Sequence, residues 1–393
     1  MLFCLFLCFW CKNTRNTLLM AGIYLHIPFC KQACHYCNFH FSTSLRLKNE
    51  MLTALQHEIA LQQHYLPQNE IATVYFGGGT PSLLSGNEIE RLLSQIKNFF
   101  TILPNAEITL EANPDDLTLQ KLQELKQAGV NRLSIGIQSF FDADLQYMNR
   151  AHNVQQALQC INHAQNAGFT NLSIDLIYAT PTLTPQQWLQ NLQTAVNLNI
   201  AHISAYCLTV EPKTALQAYI SKGIKSNIDD EAAELHFNLL RQTLKQNGYW
   251  HYEISNFCLP GFVSQHNSSY WQQQPYLGIG PSAHSYNQTE RRWNVANNAA
   301  YIKAISQNNL PAQTEILTTE NRYNEYVMTS LRTMWGCSLP AVQQQFGTTY
   351  YQYLLKQSRQ YIAQNQLTLD SNVLYLHPDA QFIADAIIAG LFV

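Results

Sequence analysis

The stretch IYLHIPFCKQACHYCNF (23–39) decides how the rest of the chain is read. Its first half is a short apolar strand, IYLHIPF (23–29), and its second half is a loop carrying Cys30, Cys34 and Cys37. The same kind of strand recurs as ATVYFGG (72–78), EITLEAN (107–113), RLSIGIQS (132–139), LSIDLIY (172–178) and HISAYCLTV (202–210). Between these lie helical patterns such as NEIERLLSQIKNFF (87–100), LTLQKLQELKQAG (117–129) and NVQQALQCINHAQNAG (153–168). Gly129 and Gly168 stand where a helix C-cap glycine belongs. Strand, helix, strand at intervals of roughly 30 residues implies right-handed βαβ units and a parallel sheet. Six such units predict an α/β fold, a partial (β/α)6 barrel rather than a closed eight-stranded one.

At 393 residues the chain exceeds the roughly 250–300 at which one core stops growing. Residues 20–225 are expected to form the barrel, and 226–300 an extension with an aromatic loop. Residues 301–393 are expected to form a mostly helical, winged-helix-like unit with a strand pair at LTLD (367–370) and VLYLH (373–377). Charged residues make up only 12% of the chain and net charge is −3, which excludes a basic face for nucleic acid or an anionic membrane. No window reaches the length of a membrane helix, so a cytoplasmic protein is expected. MLFCLFLCFW (1–10) is too short to span a bilayer and lacks the features of a signal peptide. Residues 1–19, with Cys4, Cys8 and Cys11, are therefore expected to be an extension outside the fold, with Met20 as the start. Cys160, Cys207, Cys258 and Cys337 are scattered singly and are expected to be small buried hydrophobes in a reducing compartment.

Cys30, Cys34 and Cys37 differ in kind. Three soft thiolates on a loop after a barrel strand select iron–sulfur or zinc. A four-iron cluster usually takes four cysteines, so three would leave one iron with an exchangeable position. A structural Cys₃His zinc site is the rival, since His26, His35 and His40 lie close in sequence. A second motif, Phe76-Gly77-Gly78-Gly79-Thr80-Pro81, follows the next strand, and glycines there would let backbone approach a ligand. Glu111, Gln138, Arg150 and Asp175 stand at or just beyond strand ends, where burial without a partner would be costly. They read as ligands for ribose, carboxylate and adenine around one face, or as satisfied barrel-end polar residues.

The spacing C-x₃-C-x₂-C resembles that of the radical-SAM superfamily. That resemblance implies a four-iron, four-sulfur cluster on Cys30, Cys34 and Cys37 with S-adenosylmethionine (SAM) at the open iron. YLHIPFC, GGGTPS, EANP, GIQSF, SIDLIY and YEISNF together resemble the family of oxygen-independent coproporphyrinogen III oxidase and its relatives, from about Ile23 to the C-terminus. It implies SAM contacts from Tyr24, Tyr36, Gly78, Gly79, Thr80, Glu111, Gln138, Arg150 and Asp175. The oxidase branch carries a fourth cysteine two residues after the third, where this chain has Phe39. The branch of HemW-type haem chaperones carries H-N-x-x-Y-W, here His266-Asn267-Ser268-Ser269-Tyr270-Trp271. The resemblance therefore implies a haem carrier with no catalytic residues of its own, which binds haem through His266, Asn267, Tyr270 and Trp271. Haem would pass to an acceptor such as a respiratory haem protein, with a flavodoxin-like electron donor. His284 in GPSAHSY is a second imidazole candidate, and Arg291 or Arg292 would meet the propionates. The alternative is an oxidase that decarboxylates coproporphyrinogen III with a SAM-derived radical.

Overall fold

The computed structural model describes residues 21–393; the extension expected at 1–19 lies outside them. Six parallel strands form the centre of one sheet: β1 (Ala21–Ile27), β2 (Glu70–Gly78), β3 (Thr101–Ala112), β4 (Arg132–Gln138), β5 (Asn171–Tyr178) and β6 (His202–Cys207). Each carries an aliphatic stripe, and four of the helices between them, beginning at Gly86, Leu119, Val154 and Pro185, start at side-chain caps. Ser85 with Glu88, Asn153 with Gln156 and Thr184 with Gln187 form capping boxes at three of them. Gly129 and Gly168 take positive φ (106° and 82°) just past the helices Leu119–Gln127 and Val154–Asn166, as the C-cap reading requires.

The sheet extends at both edges. β7 (Trp250–Glu253) and β8 (Asn256–Cys258) add antiparallel to β6, giving the order β6-β8-β7. On the other edge β9 (Tyr276–Ile279) pairs parallel with β1, followed antiparallel by β10 (His284–Tyr286), β11 (Glu290–Asn294) and β12 (Ala312–Ile316). Residues 276–316 thus continue the main sheet, so it runs some 16 residues beyond the boundary expected at 301. The buried carboxylate of Glu58, on the helix Lys48–Leu61, fixes this flank. It accepts from Tyr301 Oη (2.5 Å), Gly280 N (2.7 Å), Asn294 Nδ2 (2.7 Å) and Gln62 Nε2 (2.9 Å). Four donors offset what burial of a lone carboxylate would cost.

Period-2 alternation separates the two faces of the sheet. Ile23, Leu25, Ile27, Val74, Phe76, Leu110, Leu133 and Ile135 face the helices and form the main core. The other face carries Tyr24, Tyr75, Thr109, Glu111, Ser134 and Asp175, and is the polar inner wall of the partial barrel. A second core, around Tyr323, Val327, Leu354 and Leu374, belongs to the C-terminal unit. Its sheet is β13 (Cys337–Ser338), β14 (Leu367–Asp370) and β15 (Val373–Leu376), in the order β13-β15-β14. Ser371 and Asn372, both at positive φ, turn the β14–β15 hairpin. Among the described residues no helix is long and apolar enough to cross a membrane.

Candidate functional site

The C-terminal ends of the parallel strands open onto one cavity of about 440 Å³. Cys30, Cys34 and Cys37 line it, together with Tyr36, Gly78, Gly79, Thr80, Glu111, Gln138, Arg150 and Asp175. Twelve residues were expected around the cluster and SAM; the fold brings eleven of them together across β1 to β5. Tyr24 is the exception: its hydroxyl meets His26 Nδ1 (3.1 Å) beneath the cavity, and its ring stacks on Tyr75.

The cysteine loop is pinned at several points. Cys30 N bonds Ser42 O (3.0 Å), His35 N bonds Met148 O (3.1 Å), and Leu216 N bonds His35 O (2.8 Å). Lys31 pairs with Asp115 (2.9 Å) and Asp116. Thr80 Oγ1 donates to Cys30 Sγ (3.4 Å) and Arg150 Nη1 to Cys34 Sγ (3.2 Å). Burial, reinforced by the neighbouring thiols, pushes the Cys30 thiol up to about 11, and burial raises Cys37 as well. Thiols in this state become ligands when a metal's positive charge displaces their protons.

The histidines of the zinc alternative are engaged elsewhere. His26 Nε2 meets His40 O (2.9 Å), His40 Nε2 meets Asn298 Oδ1 (2.7 Å), and His35 contacts Lys225 Nζ (2.9 Å). Among the described residues no trio of His, Cys, Asp or Glu is placed to hold a single metal ion.

Arg150 links the cysteine loop to the ends of β3 and β4. Its Nη2 bonds Asn113 Oδ1 (2.7 Å) and Gly136 O (2.9 Å), leaving Nε buried and unpartnered. Gln138 sits at positive φ (67°) with its Oε1 likewise buried and unpartnered. Two orphaned polar atoms in one cavity are what a missing polar ligand leaves behind. Burial pushes the carboxyls of Glu111 and Asp175 up to about 7 and about 6, and each carries a partner: Glu111 accepts from Tyr75 Oη (2.8 Å) and Gly78 N (3.1 Å).

The glycine turn behaves differently from expectation. The amides of Gly78, Gly79 and Thr80 bond Glu111 Oε2, Ile27 O (2.9 Å) and Phe29 O (2.7 Å). The Gly79 and Thr80 amides therefore tie the turn to the chain leading into the cysteine loop, the Gly78 amide ties it to β3, and none of the three is free for a ligand. A Cβ on Gly79 would stand 2.5 Å from Phe29 O, so glycine is required for that close approach. Sequence reasoning missed Asn113, Tyr206, Leu208, Thr209 and Glu211, which complete the wall. It also expected Cys207 to be buried, whereas Cys207 is half-buried on the cavity wall.

The H-N-x-x-Y-W residues form a short helix, Gln265–Trp271, not a loop. Glu107 accepts its first amides, Gln265 N (3.1 Å) and His266 N (3.0 Å), as a carboxylate does at a helix N-terminus. His266 is 1% exposed. Its Nδ1 lies 2.7 Å from Thr73 Oγ1, its Nε2 2.7 Å from Tyr270 Oη, and its ring stacks on Tyr75 (centroids 4.9 Å). Gly22 makes room: a Cβ there would stand 2.7 Å from Thr73 Oγ1. Thr73 precedes Gly78 by five residues, so this layer lies roughly 16 Å below the glycine turn along β2. Asn267 and Trp271 are half-buried, and Arg332 lies over the Trp271 ring. Of the arginines expected near propionates, Arg291 pairs with Glu325 and Glu315, and Arg292 with Glu290.

Residues 24–195 match the family model for the Radical SAM superfamily, and 317–383 match the HemN C-terminal domain. Heme chaperone HemW of Bacillus subtilis is 34% identical over 334 residues, which is 84% of this chain and 87% of that protein. Heme chaperone HemW of Escherichia coli is 36% identical over 274 residues, 67% of this chain and 69% of that one. The structure of coproporphyrinogen III oxidase (HemN) from Escherichia coli superposes with a TM-score of 0.79 over 95% of this chain and 90% of that chain, at 24% identity. At that identity it confirms the fold alone. The chain is therefore a radical-SAM protein and belongs to the HemW family of heme chaperones.

Proposed function

We propose that the chain holds a four-iron, four-sulfur cluster on Cys30, Cys34 and Cys37, binds SAM beside it, and carries haem as cargo to an acceptor such as a respiratory haem protein. The convergence of three thiols with Glu111, Gln138, Arg150 and Asp175 on one cavity supports the cofactor reading most directly. When bound, the cluster supplies an iron coordination position and a redox centre that a flavodoxin-like donor in the cytoplasm can reduce. Arg150 holds Cys34 Sγ and the opposite wall at fixed separation, Thr80 donates to Cys30 Sγ, and Glu111 is set by Tyr75 and Gly78 to accept hydrogen bonds from a nucleoside. Gln138 Oε1 and Arg150 Nε remain for the amino acid and adenine portions.

Two residues beyond Cys37, Phe39 is 69% exposed and supplies no thiolate, which favours a carrier over the oxidase. In this reading Asn267, Tyr270 and Trp271 contribute to haem contact from the 265–271 helix. A haem iron reaches His266 only after its ring has given up Thr73 and Tyr270. The test is an anaerobic assay of reconstituted protein with SAM and coproporphyrinogen III beside a haem titration of the same sample. Stoichiometric haem binding without protoporphyrinogen is expected; steady protoporphyrinogen production would establish the oxidase instead.

A further inference from the structure

The net charge of −3 conceals a local excess of cations beside the cysteines. Residues 30–49 and 212–228 hold six of the chain's 23 lysines and arginines and none of its 26 acidic residues. The rest of the chain sets 17 cations against all 26 acids. Of the six, Lys31 pairs with Asp115 and Asp116, and Lys48 with Glu88. Among the described residues, Arg46, Lys213, Lys222 and Lys225 have no carboxylate within ion-pair reach.

Three of these unpaired cations belong to one short helix, Ala215–Ser221, and its flanks. That segment is fastened to the cysteine loop on both sides of Cys37. Leu216 N donates to His35 O (2.8 Å), Lys225 Nζ meets His35 Nδ1 (2.9 Å), and the Tyr219 ring packs edge-on against His35 with centroids 4.9 Å apart. On the far side, Asn38 Nδ2 donates to Glu211 Oε2 (3.2 Å), which engages the carboxylate nearest Lys213 in the chain. Lys213 and Lys222 are exposed at the two ends of a helix roughly 10 Å long. Burial holds the Lys225 pKa below its ordinary value, and no carboxylate offsets it. Two large apolar side chains stand out beside them: Phe39, two residues beyond Cys37, and Ile224 (64% exposed), between Lys222 and Lys225.

We propose that this face, Lys213, Lys222 and Lys225 with Phe39 and Ile224, is the docking surface for an acidic one-electron carrier protein that reduces the cluster. This rests on the reading in which the three thiols hold a cluster, and deepens it by placing the donor.

Apolar side chains ringed by charge are the make-up of a protein interface. Redox partners meet through small ones, below about 1,200 Å², steered by complementary charge more than held by area. Three unpaired lysines around two apolar side chains suit an acidic partner of that kind. Cys37 lies between the two points of attachment, so a carrier seated here approaches the cluster through the loop that holds it. One electron leaves the reduced carrier, which is oxidised, and enters the cluster, which is reduced; no bond in this chain forms or breaks.

The test titrates oxidised flavodoxin, an acidic flavoprotein followed by its own flavin, into the reconstituted full chain at low ionic strength. The proteins compared are the natural chain, the double variant Lys213→Glu with Lys222→Glu, and Lys356→Glu in the C-terminal unit as a control. The natural chain should bind, and added salt should weaken the complex. The double variant should bind tenfold or more weakly and take electrons from reduced flavodoxin correspondingly slowly, while Lys356→Glu behaves as the natural chain does. Cluster content, SAM affinity and reduction by dithionite should be equal in all three. Failure of the natural chain to bind flavodoxin, or equal binding by the double variant, would overturn the proposal. Salt-sensitive binding to vesicles of anionic lipid, lost in the double variant and unaccompanied by flavodoxin binding, would make the face a membrane contact instead. A natural chain that gains no cluster on reconstitution would overturn the cofactor reading itself.

Discussion

Glu111→Gln should make the ligand-free protein more stable at pH 8 while removing its hold on SAM. Burial, with Asp175 nearby, pushes the Glu111 carboxyl up to about 7 from an ordinary value of 4.5. The folded protein therefore keeps a proton that the unfolded chain has lost, so stability falls as pH rises from about 4.5 through about 7 and then levels. At about 1.4 kcal/mol per tenfold, ionising this group in the fold costs roughly 3 kcal/mol at pH 8. Glutamine has the same shape and no charge. Its Oε1 can accept from Gly78 N, and its Nε2 can donate to the Tyr75 hydroxyl, which is donor and acceptor alike. The variant should melt on the order of 5 °C higher than the natural protein at pH 8, with little difference at pH 4.5. Asp175, raised to about 6, has the same sign, so Asp175→Asn should behave alike over a lower window. The assay is thermal unfolding without ligands at both pH values, paired with calorimetric SAM titration of reconstituted protein. A variant that melts below the natural protein at pH 8, or is offset equally at both pH values, would refute the reasoning.

Other perturbations address separate parts of the site. Cys34→Ala should abolish the cluster yet leave circular dichroism and melting close to natural, because the thiol lies on a loop; full iron and sulfide content would refute its role as ligand. Arg150→Lys loses the fork that spans Cys34, Asn113 and Gly136 and, at about 1.5–3 kcal/mol per charged hydrogen bond, should weaken SAM binding tenfold or more by calorimetry. Gly79→Ala places a methyl carbon against Phe29 O and should lower cluster occupancy, measured as iron per chain. His266→Asn removes the ring stacked on Tyr75; an aromatic pair contributes about 0.5–1.5 kcal/mol, so SAM affinity should fall between about twofold and twelvefold through Glu111.

Much of this architecture is legible in the residues. Strand runs such as LSIDLIY and RLSIGIQS bury one face against helices, and that demand writes itself as aliphatic alternation, so β4 and β5 are found within a residue or two of their ends. The cysteine loop and the polar strand ends announce a site because charged residues in apolar strands need a reason. Other features are written less plainly. Residues 276–316 carry short strands with Tyr, Arg and Trp, and their membership of the main sheet depends on long-range pairing with β1, which no local period encodes. His266 is inward because Glu107 captures the helix N-terminus and Gly22 leaves space; both partners are more than 150 residues away. Gly22 was the available signal, a glycine within an apolar strand that marks a close approach. The glycine turn looked like an open cradle because sequence shows the missing side chains and not the carbonyls of Ile27 and Phe29 that occupy its amides.

The central claim, a SAM-accessible cluster on three thiolates, is tested most directly by electron paramagnetic resonance. Anaerobically reconstituted, chemically reduced protein would be measured with and without SAM, alongside iron, sulfide and zinc analysis. The account predicts about four irons and four sulfides per chain and a signal that changes shape when SAM is added. A signal indifferent to SAM, or zinc in place of iron, would contradict it.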